Sequence, residues 1–454
     1  MWPRRAAWVG AVWIALLGAW LGEGAKAEPG GDVTMQVTPR AARVLVAQAI
    51  SRGNPELAVR IARQVLAANP NDIEAQVLLA AALSRSGQTA LAETTGKRAF
   101  RATKDRPWKF QAAFLTAEAL ASQDRLIAAK WWLRRADSYR TAPTDMDLLR
   151  RGFATLEQRM PLKFSVSLAA GPSNNVNGGS LHESFDFYGI PIPIEQALPG
   201  YTAVAAGTLS YRLQNNATST VNGFVKLRRR EVWLSHKARK LQPLANASDY
   251  SNNGLDLGIS GQVRTSQTLG LTYAAQVGRQ WYSFGRQSEV QRLQFGLAKL
   301  ISPQQVARLD LTAEAVQSPA TPRNNSVRLA AEASLGMALG KGRLTGIIGL
   351  SQLDAAAPGL PYRGISLGLE AQPADLVQGL DLQFFASVEA KDYWKAQLDN
   401  PDLVLEAGAT ASFSNMSLLG FRPTATVSAT RSVSDLVIRD SMNLGLSVGI
   451  RSSF

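Results

Sequence analysis

The densest chemistry in this chain is basic. Arg228-Arg229-Arg230 is followed by His236-Lys237-Ala238-Arg239-Lys240. Guanidinium groups grip phosphate oxygens in pairs, and ammonium groups add point charge. On a strand running into a loop, alternation sends Arg228 and Arg230 to one face and Arg229 to the other. One face would meet the phosphates of lipid headgroups, lipopolysaccharide included, and the other a passing substrate. The plainer account is a solvated rim that resists edge association. Nucleic acid is not an expected partner, because no recognition fold accompanies the charge.

Catalytic constellations are scarce. The chain has no Cys, so a disulfide, a thiolate metal site, a thiol nucleophile and a lipidated amino-terminal Cys are all excluded. The two His residues, His182 and His236, both read as solvated loop positions, which leaves a Ser-His-Asp triad or a histidine metal cage without parts. Glu389 with Asp392, and Asp399 with Asp402, sit at strand ends. Paired acids can transfer protons or bind calcium, but solvated carboxylates are the simpler reading. There is no phosphate loop. The expectation is a protein that is not an enzyme and carries no metal or cofactor.

The elements around these residues come from composition and period. The chain has 454 residues, a net charge of +14 and 19% charged residues. With a mean hydropathy of −0.07, it reads neither as disordered nor as an α-helical membrane protein. Residues 1–27 read as a signal peptide: Arg4 and Arg5, an apolar stretch from Ala6 to Gly22, and a small-x-small site at Ala25-Lys26-Ala27. Retention as an anchor is the alternative. Removal would leave an exported protein without a helical anchor.

Residues 28–160 have a helical period with an internal repeat. Gly53, Leu57, Ala58 and Leu66 reappear 34 residues later as Gly87, Leu91, Ala92 and Phe100. Asn69-Pro70-Asn71-Asp72 separates the units, with Asn71 or Asp72 as N-cap. A looser third unit runs from Trp108 to Tyr139 and places Ala128 near the Ala92 position; a last helix covers Asp145 to Arg159. Helix–turn–helix units of this length resemble tetratricopeptide repeats, which stack into a groove for a peptide or partner.

At Pro161 the period changes to 2. Fourteen alternating runs of ~10–15 residues fill 161–454, about the length a tilted membrane-spanning strand and its turn need. The last run pairs Met442, Leu444, Leu446, Val448 and Ile450 on one face with Asn443, Gly445, Ser447 and Gly449 on the other, and ends at Phe454, expected to mark barrel closure. Inward positions such as Gly254, Asp256, Gly258 and Ser260 read as small and polar. Long connections alternate with short ones early and less cleanly late, where Ala371–Gly379 is long for an inner turn. Trp233, Trp281, Tyr282, Phe284, Tyr393 and Trp394 fall near strand ends, as an interfacial girdle requires. The fold class is therefore an α-helical tetratricopeptide-like repeat domain followed by a transmembrane antiparallel β-barrel of about 14 strands.

The junction reads Pro161-Leu162-Lys163-Phe164-Ser165-Val166-Ser167-Leu168-Ala169-Ala170-Gly171-Pro172-Ser173-Asn174-Asn175-Val176-Asn177. Together with the preceding repeats and the Gly278-Arg279-Gln280-Trp281-Tyr282 strand end, it resembles the surface lipoprotein assembly modifiers. That resemblance implies a periplasmic repeat domain, an outer-membrane barrel and delivery of client lipoproteins or related secreted proteins to the cell surface. A periplasmic chaperone and the barrel-insertion machinery would be further partners. Pro172, Asn174, Asn175 and Asn177 match the junction motif, for which turn or strand capping is the plain account. The alternative function is a porin or polysaccharide-export barrel whose repeats recruit partners. Many inward aromatics or charges would favour the alternative.

Overall fold

The computed structural model describes residues 38–282, 287–357, 359–374, 376–396, 401–413, 416 and 421–452. The signal segment, Phe284, Asp399 and Phe454 lie outside them. The chain divides into two compact units between Leu156 and Glu157.

The helical unit contains α1 (Pro39–Ser51), α2 (Pro55–Ala68), α3 (Ile73–Arg85), α4 (Thr89–Ala102), α5 (Arg106–Ser122), α6 (Leu126–Asp137) and α7 (Pro143–Arg159). Thr38, Asn54 and Asp72 each cap a helix by accepting a backbone N–H, and Pro follows at the start of α1 and α2. Gly53 and Gly87 turn the chain between paired helices at positive φ. The third turn uses Asp124 instead, at φ 58°. All three turns make the same bonds: the N–H groups of Gly53, Gly87 and Asp124, and of the residues after them, donate to the ends of the preceding helices. Counting from those turns, Ala58 and Ala92 are matched by Ala129, not Ala128. All three are fully buried, whereas Ala128 is only half-buried. The extra length of α5 shifts the third unit's spacing, and the non-Gly turn hides it.

Small residues let these helices approach closely. A methyl group on Gly96 of α4 would overlap the Thr116 hydroxyl of α5, which donates to the Ala112 carbonyl at 2.7 Å. Glu93 ties α4 to the α5–α6 turn by accepting from Lys97, Gln123 and Arg125. Burial alone would raise the Glu93 carboxyl, but these bonds and the Lys97 and Arg125 charges hold it below the ordinary range.

The second unit is a closed antiparallel barrel. Its strands are β1 (Leu162–Ser173), β4 (Gly200–Asn215), β5 (Ser219–Leu234), β6 (Asn252–Arg264), β7 (Leu269–Tyr282), β8 (Gln287–Ser302), β9 (Gln305–Gln317), β10 (Ser326–Leu339), β11 (Gly342–Ala355), β12 (Tyr362–Gln372), β13 (Leu380–Asp392), β14 (Asp402–Phe413), β15 (Phe421–Val433) and β16 (Ser441–Ser452). Each pairs with the next, and β16 returns to β1. Arg212 on β4 donates to the carbonyls of Glu157 and Gln158 at 2.6 and 2.8 Å, satisfying oxygens that a helix end leaves open.

Register separates two faces. Leu227, Leu257, Val277, Leu293, Leu311, Leu329, Ile348, Leu367, Leu405, Val427, Leu446 and Leu168 point outward and stay exposed. The partners of Gly258, Gln276 and Arg292 line the interior. Such an apolar exterior around a polar interior is what lipid on one side and water on the other demand.

Burial of α5 on nearly every side pushes the Glu118 carboxyl up to about 7, against the pull of Arg85. The folded state thus holds a proton that the unfolded chain, titrating near 4.5, releases. Stability of the helical unit should fall as pH rises from about 4.5 to 7, by on the order of 3 kcal/mol, and level off above. Glu118→Gln should flatten that slope. Thermal melts of the helical circular-dichroism signal across pH 4.5–8 check both.

Candidate functional site

The barrel's distinctive chemistry lies at the end where β1 finishes. Its connections there include 174–199, which contains a two-stranded hairpin of β2 (Ser184–Phe187) and β3 (Ile190–Pro193), and 235–251, which contains α8 (His236–Leu241). The opposite end has the tight turns 216–218, 265–268, 303–304 and 340–341, then the longer 373–379.

The long loops are packed and bonded to one another. Val232 and Leu234, on the inward face of β5, bury against Val176, Leu198 and Ala238. Ser235 caps α8, so Ala238 turns into that small core while His236, Lys237, Arg239 and Lys240 face solvent. The 174–199 loop is bonded to the 434–440 connection. The Ser180 hydroxyl donates to the Val437 carbonyl at 2.5 Å, the Leu181 N–H donates to the Asp440 carbonyl at 2.8 Å, and His182 Nε2 lies 2.8 Å from Asp440 Oδ2. His182 is therefore engaged, not simply solvated. Arg431 lies 2.5 Å from the other Asp440 oxygen. Its hydrogen bond, helped by His182 and opposed by burial, holds the Asp440 carboxyl below the ordinary range. On the far side of that connection Arg439 stacks 3.4 Å from the Tyr393 ring centroid, reaches the Gly359 carbonyl and stands 3.6 Å from Asp402. Asp402 is 2% exposed, so it is no solvated strand-end acid. Glu389 and Asp392 face opposite sides of β13 and form no pair, because three residues is an odd step in a period of two.

The junction asparagines are staples. Asn174 Oδ1 accepts from the Leu444 N–H at 2.6 Å, and the Asn174 N–H donates to the Leu444 carbonyl at 3.2 Å. Asn175 brackets Gly179 with two bonds at 2.8 and 2.9 Å. Asn177 does the same across the loop, to the Gln196 carbonyl and the Leu198 N–H.

They compensate for an interrupted closure. β1 and β16 pair from Ser167–Arg451 to Ala170–Val448, skip Gly171 and Pro172, and resume at Ser173–Gly445. β1 and β4, by contrast, pair unbroken from Leu162–Tyr211 to Ser173–Gly200. Pro172 has no N–H to give, and Gly171 brings its backbone so near Leu446 that a methyl group would overlap the Leu446 carbonyl. Outside this seam, Leu168, Ala170, Ala203, Ala205, Val448 and neighbouring residues leave a groove of about 640 Å³ on the apolar face.

The arginine run divides as its spacing implies. Arg230 points inward and donates to the Val176 carbonyl at 2.8 Å and the Tyr250 carbonyl at 3.2 Å. Arg228 shares that face. Arg229 points to the apolar exterior beside Trp233, where Glu231 accepts from it at 2.7 and 3.0 Å. Its charge is met within the chain. Inward charge is richer elsewhere: Lys226 bonds Gln276, Arg292 pairs with Glu314, and Arg308, Asp310, Arg328 and Glu332 share the lumen face. The sector β14–β15–β16–β1–β4 is instead mostly Ser, Thr, Gly and Ala on its inner face. Spacing alone signalled none of the Ser180, Arg431, Arg439 and Asp440 contacts. Among the described residues no cluster of His, Asp and Glu could hold a metal ion.

Residues 49–114 match the tetratricopeptide repeat family. No curated protein sequence matches the chain. Solved structures match the chain at low identity. A FadL homologue of Pseudomonas aeruginosa is 9% identical, with 64% of this chain and 90% of that one covered and a TM-score of 0.36. The outer-membrane channel DcaP of Acinetobacter baumannii is 7% identical, over 64% and 96%, with a TM-score of 0.35. The translocator domain of the autotransporter NalP from Neisseria meningitidis is 13% identical, over 68% and 96%, with a TM-score of 0.27.

If the interrupted closure depends on bare backbone at Gly171, Gly171→Val should spread the seam and lower the temperature at which the folded barrel loses its compact mobility on gels. Gly207→Val, where a methyl group would touch only the Ser165 carbonyl at 3.9 Å, should leave that temperature unchanged.

Proposed function

We propose that the chain is an outer-membrane translocator that delivers client proteins, surface lipoproteins or related secreted proteins, to the cell surface. The helical repeats, in the periplasm, engage the client or its chaperone, and the barrel provides the route. One observation carries the reading. The long loops at one end of the barrel are bonded to one another, while its closing seam is the one strand junction broken by Pro172. An always-open pore needs neither feature. Directionality would come from folding or capture of the client outside. No catalytic residue, metal or cofactor enters this account.

The porin or polysaccharide-export reading keeps one supporting observation. The inner wall from β5 to β13 bears charges such as Arg228, Arg292, Glu314 and Arg328, which a polymer could follow.

Surface biotinylation of cells with and without the protein separates the two. Delivery predicts that one or a few lipoproteins lose labelling while their total amount is unchanged, and that deleting residues 38–156 has the same effect with the barrel still inserted. An unchanged labelled set, together with steady conductance of the purified barrel in a planar bilayer, would instead support the pore.

A further inference from the structure

The two units differ in charge. Residues 38–156 carry nineteen Lys and Arg against ten Asp and Glu, a net of +9, in little more than a quarter of the chain. Part of that charge gathers where α4, α5 and α6 meet. Phe100 stands edge-on to Trp132 at 5.4 Å and to Tyr139 at 5.5 Å. Lys109 lies 4.5 Å from the Phe100 ring and 5.2 Å from Tyr139. Arg135 lies 4.9 Å from Trp132 and 5.4 Å from Phe100. Arg106 completes the set 5.7 Å from Tyr139, and donates to the Ser138 carbonyl. Three cations share three rings, and none of the three has an ion pair among the described residues.

Stability alone does not favour this arrangement. Lys109 and Arg135 crowd one ring despite like charge. Arg106 and Lys109 also stand at the start of α5, where the helix dipole is positive. That first turn has no acidic residue, and Asp105 at the cap makes no side-chain bond to it. A sequence chosen for helix stability would place Asp or Glu there. Ring faces hold cations without neutralising them, so the charge stays available. Two cations in the first turn of α5, met by ring faces and by Asp105 at the cap alone, leave their charge open to an outside partner.

We propose that this rim docks an acidic polypeptide segment. Its carboxylates would meet Arg106, Lys109 and Arg135, and an apolar side chain would lie against the half-buried Trp132 and Tyr139. A chain presents carboxylates one at a time to cations held at fixed ring faces, one of them, Lys109, half-buried. A flat lipid surface suits cations on free, exposed stems. The inference deepens the reading of the helical unit as the partner-binding half and rests on it.

The test uses the full chain in zwitterionic detergent and a short fluorescein-labelled peptide of alternating Glu and Ser with one Trp, followed by fluorescence polarisation. The peptide should bind, and its Gln-for-Glu counterpart should not. Lys109→Gln with Arg135→Gln should weaken binding about ten-fold, the scale of losing charge-assisted contacts. Arg135→Lys should retain most of it. A triple change on α8, Lys237→Gln, Arg239→Gln and Lys240→Gln, should have no effect. Unchanged helical circular dichroism and heat-modifiable mobility would show that each variant folds. Undiminished binding by the Lys109/Arg135 variant, loss only in the α8 variant, or displacement of the peptide by stoichiometric phosphatidylglycerol would overturn the proposal. Surface labelling is an independent readout: lost peptide binding with delivery intact would detach the rim from that function without removing the function.

Discussion

A sheet in lipid can leave no edge. In hydrocarbon each unpaired N–H or C=O costs several kcal/mol, so the first strand must find the last. Every other feature of the barrel follows from that closure. Period-2 alternation over fourteen strands supplies the length, and the Ser167–Arg451 to Ala170–Val448 ladder supplies the join. Yet the join is where the sequence places Gly171 and Pro172, the two residue types that weaken a ladder. Asn174 then restores the missing bonds from its side chain and backbone. A closure that relies on a side chain is held by fewer main-chain bonds than its neighbours, and it sits beneath loops that are themselves tied down.

Those loops form a continuous set of restraints. Asp440 anchors to His182 and Arg431, while the adjacent Arg439 anchors to Tyr393, Gly359 and Asp402. One short connection thus links the first long loop to the strands on the other side of the mouth, and it leads directly into β16. Any motion of β16 away from β1 would pull on this connection. The mouth and the seam are therefore mechanically one device. The inner wall beside it, mostly Ser, Thr, Gly and Ala with Glu406 in mid-strand, holds fewer fixed charges to trap a moving chain than the opposite wall does.

Much of this was legible in the sequence and some was not, for physical reasons. Alternation is local, so Met442 to Ile450 announced its two faces, and Gly254, Asp256, Gly258 and Ser260 announced the lumen. Gly53 and Gly87 marked helix turns because positive φ selects glycine. Asp124 broke that signal, and with it the alignment of Ala129. The β2–β3 hairpin and α8 are too short to carry a period. The bonds between Ser180 or His182 and Asp440 join residues more than 250 positions apart, and no spacing rule reaches that far. The arginine run showed its alternation but not its partners: Glu231 for Arg229 and two loop carbonyls for Arg230.

The proposed delivery has the β1–β16 seam open in use. The chain has no cysteine, so a single pair can be introduced without competition. Ala170 and Val448 face each other across β1 and β16. Ala170→Cys with Val448→Cys, oxidised after the barrel has assembled, should abolish surface delivery, and reduction should restore it. Delivery that continues at full rate through the locked seam would contradict the account.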